Sequence, residues 1–298
     1  MYLTVLLRRL VRNLADGYFY RVARTYPVSH VYNQLRRWLH YRRYGVKSAS
    51  MFRNVELEVN SMCNRTCSYC PNASAKRPAG YMEESLFRKI VDELGDLDFD
   101  GTVSYHFYGE PLLDKRLPGF VEYTARRVPH CTTGIYSNGD FLTLEIFREY
   151  ISSGLGWFLV TQHDNHLPDN LQRILMEATE DEKGHIVIQL ARDMRLNNRG
   201  GLITTIKAPA KALHTPCDWP LGNIVVTMDG NILPCCNDYF ESEVMGNVRT
   251  NSLRDVWSCE RFDSFRRALS RGDRMFSKLC ISCDVIPSDT RLYRIVPQ

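Results

Sequence analysis

No stretch of the 298 residues approaches the ~18 consecutive apolar positions that a membrane-spanning helix needs. The opening "MYLTVLLRRLVRNLADG" meets arginine after about five apolar residues, and no small-residue cleavage site follows; a secretory signal is not expected, and the cytoplasm is the expected compartment. Internal repeats and low-complexity tracts are also missing, which sets aside solenoids and disordered arrays. Acidic charge is scarce in one place only. Residues 1–48 hold Asp16 alone against nine arginines and Lys47, although the whole chain is just +4. The remainder is therefore net acidic, which argues against a nucleic-acid partner. In the basic arm, Leu3, Leu6, Leu7, Leu10, Val11 and Leu14 recur at helical spacing with Arg8, Arg9 and Arg12 between them. That pattern serves either a peripheral contact with an anionic membrane face or acidic partner, or a solvated helical arm packed on the main domain.

What is present is the composition of a globular chain with a real core: 44% hydrophobic and 24% charged residues. From about residue 53 to 206, strand and helix patterns alternate. "NVELEV", "GTVSYHFYGE", "TTGIYSNG", "GWFLVTQ", "GHIVIQLA" and "GLITTI" read as strands, with amphipathic helices such as "YMEESLFRKIVDELGDL" between the early ones. About six βα units predict an α/β fold with a parallel sheet forming an open or partial barrel. Active groups of such barrels sit on loops after the strands. After about residue 207 the texture changes. "IVVTMDGNILPCC" predicts a hairpin turning at Asp229-Gly230, "NSLRDVWSCERFDSFRRALSRG" predicts one helix, and "CISC" follows. The expected domains are a basic helical arm (1–50), the partial barrel (51–206) and a small α+β cysteine-bearing unit (207–298).

Ten cysteines in a chain without secretion point to metal or catalysis rather than disulfides. "CNRTCSYCPN" places Cys63, Cys67 and Cys70 directly after the first strand. A structural zinc site takes four protein ligands, and no histidine stands nearby. Three thiolates suit a cubane iron–sulfur cluster better, with three irons ligated and the fourth open to another group.

A C-x3-C-x-aromatic-C loop after the first barrel strand resembles the radical S-adenosylmethionine enzymes. The resemblance covers roughly residues 53–285. It implies that Cys63, Cys67 and Cys70 hold a [4Fe–4S] cluster whose open iron chelates S-adenosylmethionine. Reductive cleavage would then release a 5′-deoxyadenosyl radical that abstracts hydrogen from substrate. Tyr69 matches the aromatic that contacts adenine. "YGEP" (108–111) resembles the family's Gly-Gly-Glu-Pro stretch, so Gly109 and Glu110 would receive the cofactor's amino group; Tyr108 departs from the usual first glycine. Asn138 in "YSNG" would face the ribose, and Arg199 in "NNRGG" would meet the cofactor carboxylate or the substrate.

Cys217, Cys235, Cys280 and Cys283 resemble the ligands of the twitch unit, the shortened SPASM domain, which would bind one closed auxiliary [4Fe–4S] cluster for electron transfer. Cys236 could replace Cys235 in that set. With too few cysteines here for two auxiliary clusters, the chain looks most like aminoglycoside-pathway dehydrogenases and epimerases. The implied reaction is oxidation of an alcohol on a sugar- or aminocyclitol-like small molecule, with a flavodoxin or ferredoxin as electron donor. The alternatives are epimerisation with Cys259 or Cys236 as hydrogen donor, radical modification of a peptide, and a non-catalytic metal-binding scaffold. His106, His163, Asp164 and His166 are rim residues that could face substrate.

Overall fold

Five strands lie parallel: β1 (Asn54–Leu57), β2 (Thr102–Tyr105), β3 (Thr132–Ser137), β4 (Trp157–Gln162) and β5 (Ile186–Leu190). The computed structural model describes residues 51–285 except 76, 165 and 195. The chain divides into two units, Met1–Ser50 and Met51–Gln298; the basic arm lies outside the described residues.

Helices α1 (Glu84–Asp96), α2 (Leu117–Arg127), α3 (Leu144–Ser152) and α4 (Asp169–Glu177) link these strands, with a single helical turn, α5 (Glu180–Lys183), before β5. Each of α1 to α4 turns one apolar stripe inward. In α1 it is Leu86, Phe87, Ile90, Val91 and Leu94, and the Phe87 ring stacks on Phe120 of α2 with centroids 4.0 Å apart. Thr143 caps α3 through a bond from the Ile146 amide. β3 and β4 pack closely at Gly134, where a Cβ would lie 2.1 Å from the Trp157 indole.

The sixth strand is not where the sequence suggests. "GLITTI" forms no strand; it follows a 3-10 turn, Arg199–Gly201, with Gly200 and Gly201 at φ +69° and +96°, conformations that a strand does not admit. A sixth parallel strand comes instead from the C-terminal segment. β6 (Asn223–Val226) pairs with β1 in register Asn54↔Asn223 to Leu57↔Val226. The Asp229-Gly230 hairpin forms as read, with Gly230 at φ +90°, and carries the chain into antiparallel β7 (Asn231–Leu233) and β8 (Gly246–Asn247). One open sheet results, in the order β5-β4-β3-β2-β1-β6-β7-β8.

The single helix expected over 251–272 is two: α6 (Leu253–Ser258) and α7 (Glu260–Ser270). Cys259 between them is extended (φ −69°, ψ 151°), and its Sγ accepts from the Phe262 amide as the cap of α7. A last turn, α8 (Lys278–Ile281), precedes Cys283.

Candidate active site

The first cysteine group sits at the C-terminal ends of β1, β2 and β3, where three loops are tied together. The Glu110 amide donates to the Met62 carbonyl (2.7 Å), and Asn60 Nδ2 donates to the Glu110 carbonyl (3.0 Å). A Cβ at Gly109 would meet the Asn60 carbonyl oxygen at 2.2 Å, so only glycine lets "YGEP" pass this close. The Glu110 carboxylate is buried and accepts from the Leu112 amide (3.0 Å), Ser137 Oγ (2.8 Å) and the Asn138 amide (2.8 Å). Three of its roughly four acceptor sites are thus used within the protein. Burial still holds its pKa above the ordinary carboxylate value. Asn138 Nδ2 reaches Asn64 Oδ1 (2.8 Å) inside the cysteine loop.

Arg65, between Cys63 and Cys67, is a residue the sequence reading passed over. It grips Asp140 through Nε (2.6 Å) and Nη2 (2.5 Å) and reaches Asp164 (2.8 Å), which joins the cysteine loop to the loops after β3 and β4. The Tyr69 hydroxyl meets His163 Nδ1. His163 and Asp164 are therefore engaged on the rim, and His166 is exposed beside them.

Cys217, Cys235, Cys236, Cys280 and Cys283 line one cavity together with Arg274, under apolar cover from Phe265 and Leu269. All ten cysteines are free thiols. Burial pushes Cys217 up to about 11 and Cys280 up to about 12. The thiol of Cys235 donates toward Cys236, holding Cys236 low and Cys235 high. Their neighbours differ. Cys235 feels Cys217, whereas Cys236 feels Arg199 and acts on Glu56, Tyr136 and Cys283. Cys259 does not join the cavity lining and instead caps α7.

An interior polar set lies beside Cys236. Glu56 of β1 is buried and the side chain of His106 after β2 is 18% exposed, with Glu56 Oε2 3.6 Å from His106 Nε2. Among the described residues, neither Glu56 Oε2 nor His106 Nδ1 has a hydrogen-bond partner. Such orphan atoms cost roughly 1–3 kcal/mol each. Burial drives His106 down to about 3, so the imidazole is neutral and the contact is not an ion pair; burial raises Glu56 well above the usual carboxylate range. The His106 ring packs 4.1 Å from Tyr136, which rests edge-on against Trp157. Arg199 adds its charge to this set from a left-handed backbone conformation, φ +49°, with its guanidinium 5.8 Å from the Tyr108 ring centroid. Buried Asn198 fixes that turn by donating to the Ser282 carbonyl (2.6 Å) within "CISC". Tyr108, where the family pattern has glycine, is buried and donates through its hydroxyl to the Cys236 carbonyl (2.9 Å).

Among the described residues, no three Cys, His, Asp or Glu side chains converge as they would around a single metal ion. A cubane puts each thiolate on its own iron, so thiols spread around a cavity are what it requires. The second group has that form, and buried, carboxylate-free Arg274 beside it would balance the anionic charge of a thiolate-held cluster.

A family model described as the radical SAM superfamily matches residues 57–194, and one described as an iron–sulfur cluster-binding domain, SPASM, matches residues 217–284. The chain belongs to the radical S-adenosylmethionine superfamily and is an enzyme of that class with a C-terminal SPASM domain, hence with a [4Fe–4S] cluster and an auxiliary one. Among individual proteins, it is 39% identical over 241 residues to the S-adenosyl-L-methionine-dependent 2-deoxy-scyllo-inosamine dehydrogenase of Niallia circulans, covering 80% of this chain and 96% of that protein. The crystal structure of BtrN in complex with AdoMet and 2-DOIA matches with a TM-score of 0.73 at 39% identity, over 79% of this chain and 94% of that one. Selenomethionine-substituted BtrN in an open conformation gives 0.62 at 34%, over 83% and 99%. Membership of an enzyme family sets aside the non-catalytic scaffold, and a dehydrogenase relative favours alcohol oxidation over peptide modification.

Proposed function

We propose that this chain is a radical dehydrogenase that oxidises one ring carbinol of an aminocyclitol, or a closely related hydroxylated ring, to the ketone. The observation that carries the reading is the Glu56–His106 pair: Glu56 Oε2 faces His106 Nε2, and neither Glu56 Oε2 nor His106 Nδ1 has a hydrogen-bond partner among the described residues. Hydroxyl and amino substituents would satisfy both. The relative's activity on 2-deoxy-scyllo-inosamine supports the same substrate class.

In this reading Cys63, Cys67 and Cys70 hold the first [4Fe–4S] cluster, with Tyr69, Gly109, Glu110 and Asn138 around S-adenosylmethionine. Cys217, Cys235, Cys280 and Cys283 hold the auxiliary cluster, which leaves Cys236 as a spare thiol in the lining of the same cavity. When bound, these groups supply a 5′-deoxyadenosyl radical for the carbinol hydrogen atom and a centre for the released electron, so that S-adenosylmethionine and the alcohol give methionine, 5′-deoxyadenosine, the ketone and one proton. The chain's own residues bind and orient the ring. Glu56 Oε2 is the acceptor available for the hydroxyl proton, His106 Nδ1 pairs with a second substituent, and Arg199 stabilises negative charge on the carbinol oxygen.

A flavodoxin- or ferredoxin-type carrier is the proposed reductant, and the cytoplasm the proposed compartment. Among the described residues no helix is long and apolar enough to cross a membrane. The arm, as a separate functional segment ahead of the barrel (51–206) and cluster unit (207–298), is proposed to touch an anionic membrane face. Unchanged vesicle partition after removal of residues 1–48 would end that idea.

The direct test is anaerobic reconstitution with an aminocyclitol. About eight irons per chain, and ketone formed in step with 5′-deoxyadenosine, are expected. Zinc without iron would sink the reading. A second reading, epimerisation, rests on Cys236 as a thiol beyond the four proposed ligands in the same cavity. In deuterated solvent it would place deuterium at the inverted carbon, and Cys236→Ala would abolish that uptake.

A further inference from the structure

Arg274 heads the fully buried side chains by size, at 1% exposure. Its Nε and Nη2 donate to the backbone carbonyls of Thr215 (3.0 Å) and Val285 (3.1 Å), and no carboxylate of the described residues is paired with it. Burying a guanidinium against neutral acceptors alone is costly, so a buried cation of this kind ordinarily has an anion beside it. What lies beside it is the cavity lined by Cys217, Cys235, Cys280 and Cys283. Its charge acts on the thiols of Cys217, Cys280 and Cys283. Half-buried Asp218 and Asp284 act in the opposite sense on Cys217 and Cys283 from positions nearer to water.

The potential of an iron–sulfur centre follows its charge, hydrogen bonding and burial. A fixed cation in a low-dielectric shell favours the state holding one more electron. We infer that Arg274 raises the reduction potential of the auxiliary cluster and so poises it to accept an electron. The use of that poise rests on the dehydrogenase reading, in which the alcohol gives up one hydrogen atom from carbon, one proton from oxygen and one electron. Arg274 is thus a positioning residue for charge, remote from the reacting carbon.

The test is a potentiometric titration followed by electron paramagnetic resonance on the reconstituted full chain without substrate. A full chain carrying Cys63→Ala, Cys67→Ala and Cys70→Ala identifies which signal belongs to the auxiliary cluster. In Arg274→Gln the reduced-to-oxidised ratio at the wild-type midpoint is expected to fall at least tenfold, about 59 mV for one electron. Arg274→Lys, which keeps the charge, is expected to stay within threefold. A ratio within threefold of wild type in Arg274→Gln overturns the inference, as does an equal fall in both variants. Iron analysis covers the remaining outcomes: loss of the cluster in Arg274→Gln alone, with Arg274→Lys at the wild-type midpoint, supports the role of charge. Loss in both marks a structural role and overturns it. Because the midpoint is read without substrate, a shifted midpoint in an enzyme that makes no ketone would sink the dehydrogenase reading alone. An unmoved midpoint in one that makes ketone would sink this inference alone.

Discussion

Glu56 and Glu58 alternate with Val55, Leu57 and Val59 in a strand whose pattern would ordinarily turn carboxylates to water. In a parallel sheet covered on both faces they are buried instead. Glu58 has Arg77 at 2.5 Å, whereas Glu56 meets a neutral imidazole and feels the charge of Arg199. This carboxylate was the missed signal: the cysteine spacing, "YGEP" and "SNG" stand out in the text of the chain, whereas a buried acid shows only once the coverage of β1 is known. Because burial raises the Glu56 pKa, its protonated form stabilises the fold in and below the ordinary carboxyl range, and that contribution is lost as pH climbs through the raised value. Glu56→Gln should therefore gain stability over wild type progressively as pH rises from that range, in urea titrations at several pH values. The same variant should raise the KM for an aminocyclitol about tenfold, near 1.4 kcal/mol. A falling KM, or parallel pH–stability curves, would contradict the account.

At the level of elements, loops rather than strands carry the site, and their ties were only partly legible. Arg65 reads as one more basic residue in a cysteine loop until Asp140 and Asp164 are seen to converge on it. Arg65→Lys keeps the charge but loses the forked geometry. It is expected to cost about 1–2 kcal/mol in chemical denaturation and to lower iron bound by the first cysteine group, measured against an unchanged second group. The break at Cys259 was invisible for a related reason, because apolar residues on both sides keep helical spacing. As a cap, Cys259→Ala should cost about 0.5–1 kcal/mol, and Cys259→Ser should restore it, in melting experiments. Turnover abolished by Cys259→Ala at wild-type stability would return the residue to the chemistry.

Across the whole molecule, the parallel strands, the hairpin and the cysteine-bearing unit could be read in order along the chain. How they join could not, because β1 and β6 pair across some 170 positions and no local pattern encodes such a partnership. A second long-range tie reinforces the first. Arg77 pairs with Glu58 at the end of β1 and with Glu241 of the C-terminal segment, all three largely buried. Arg77→Ala leaves two buried carboxylates facing each other and should cost about 3–5 kcal/mol in urea unfolding. Arg77→Ala together with Glu58→Gln should recover part of that loss.

The same β1–β6 pairing carries a consequence for how the protein is made. Until residues 223–226 leave the ribosome, β1 presents one edge with unmatched backbone groups, the kind of edge that recruits strands from other chains. Arg199, whose turn is pinned by Asn198 to the Ser282 carbonyl, likewise gains its final anchorage only after residue 282 has been made. A nascent chain could fold its first cysteine loop well before it could hold Arg199 in place. The interior polar set therefore takes its final form only once residue 282 has been made.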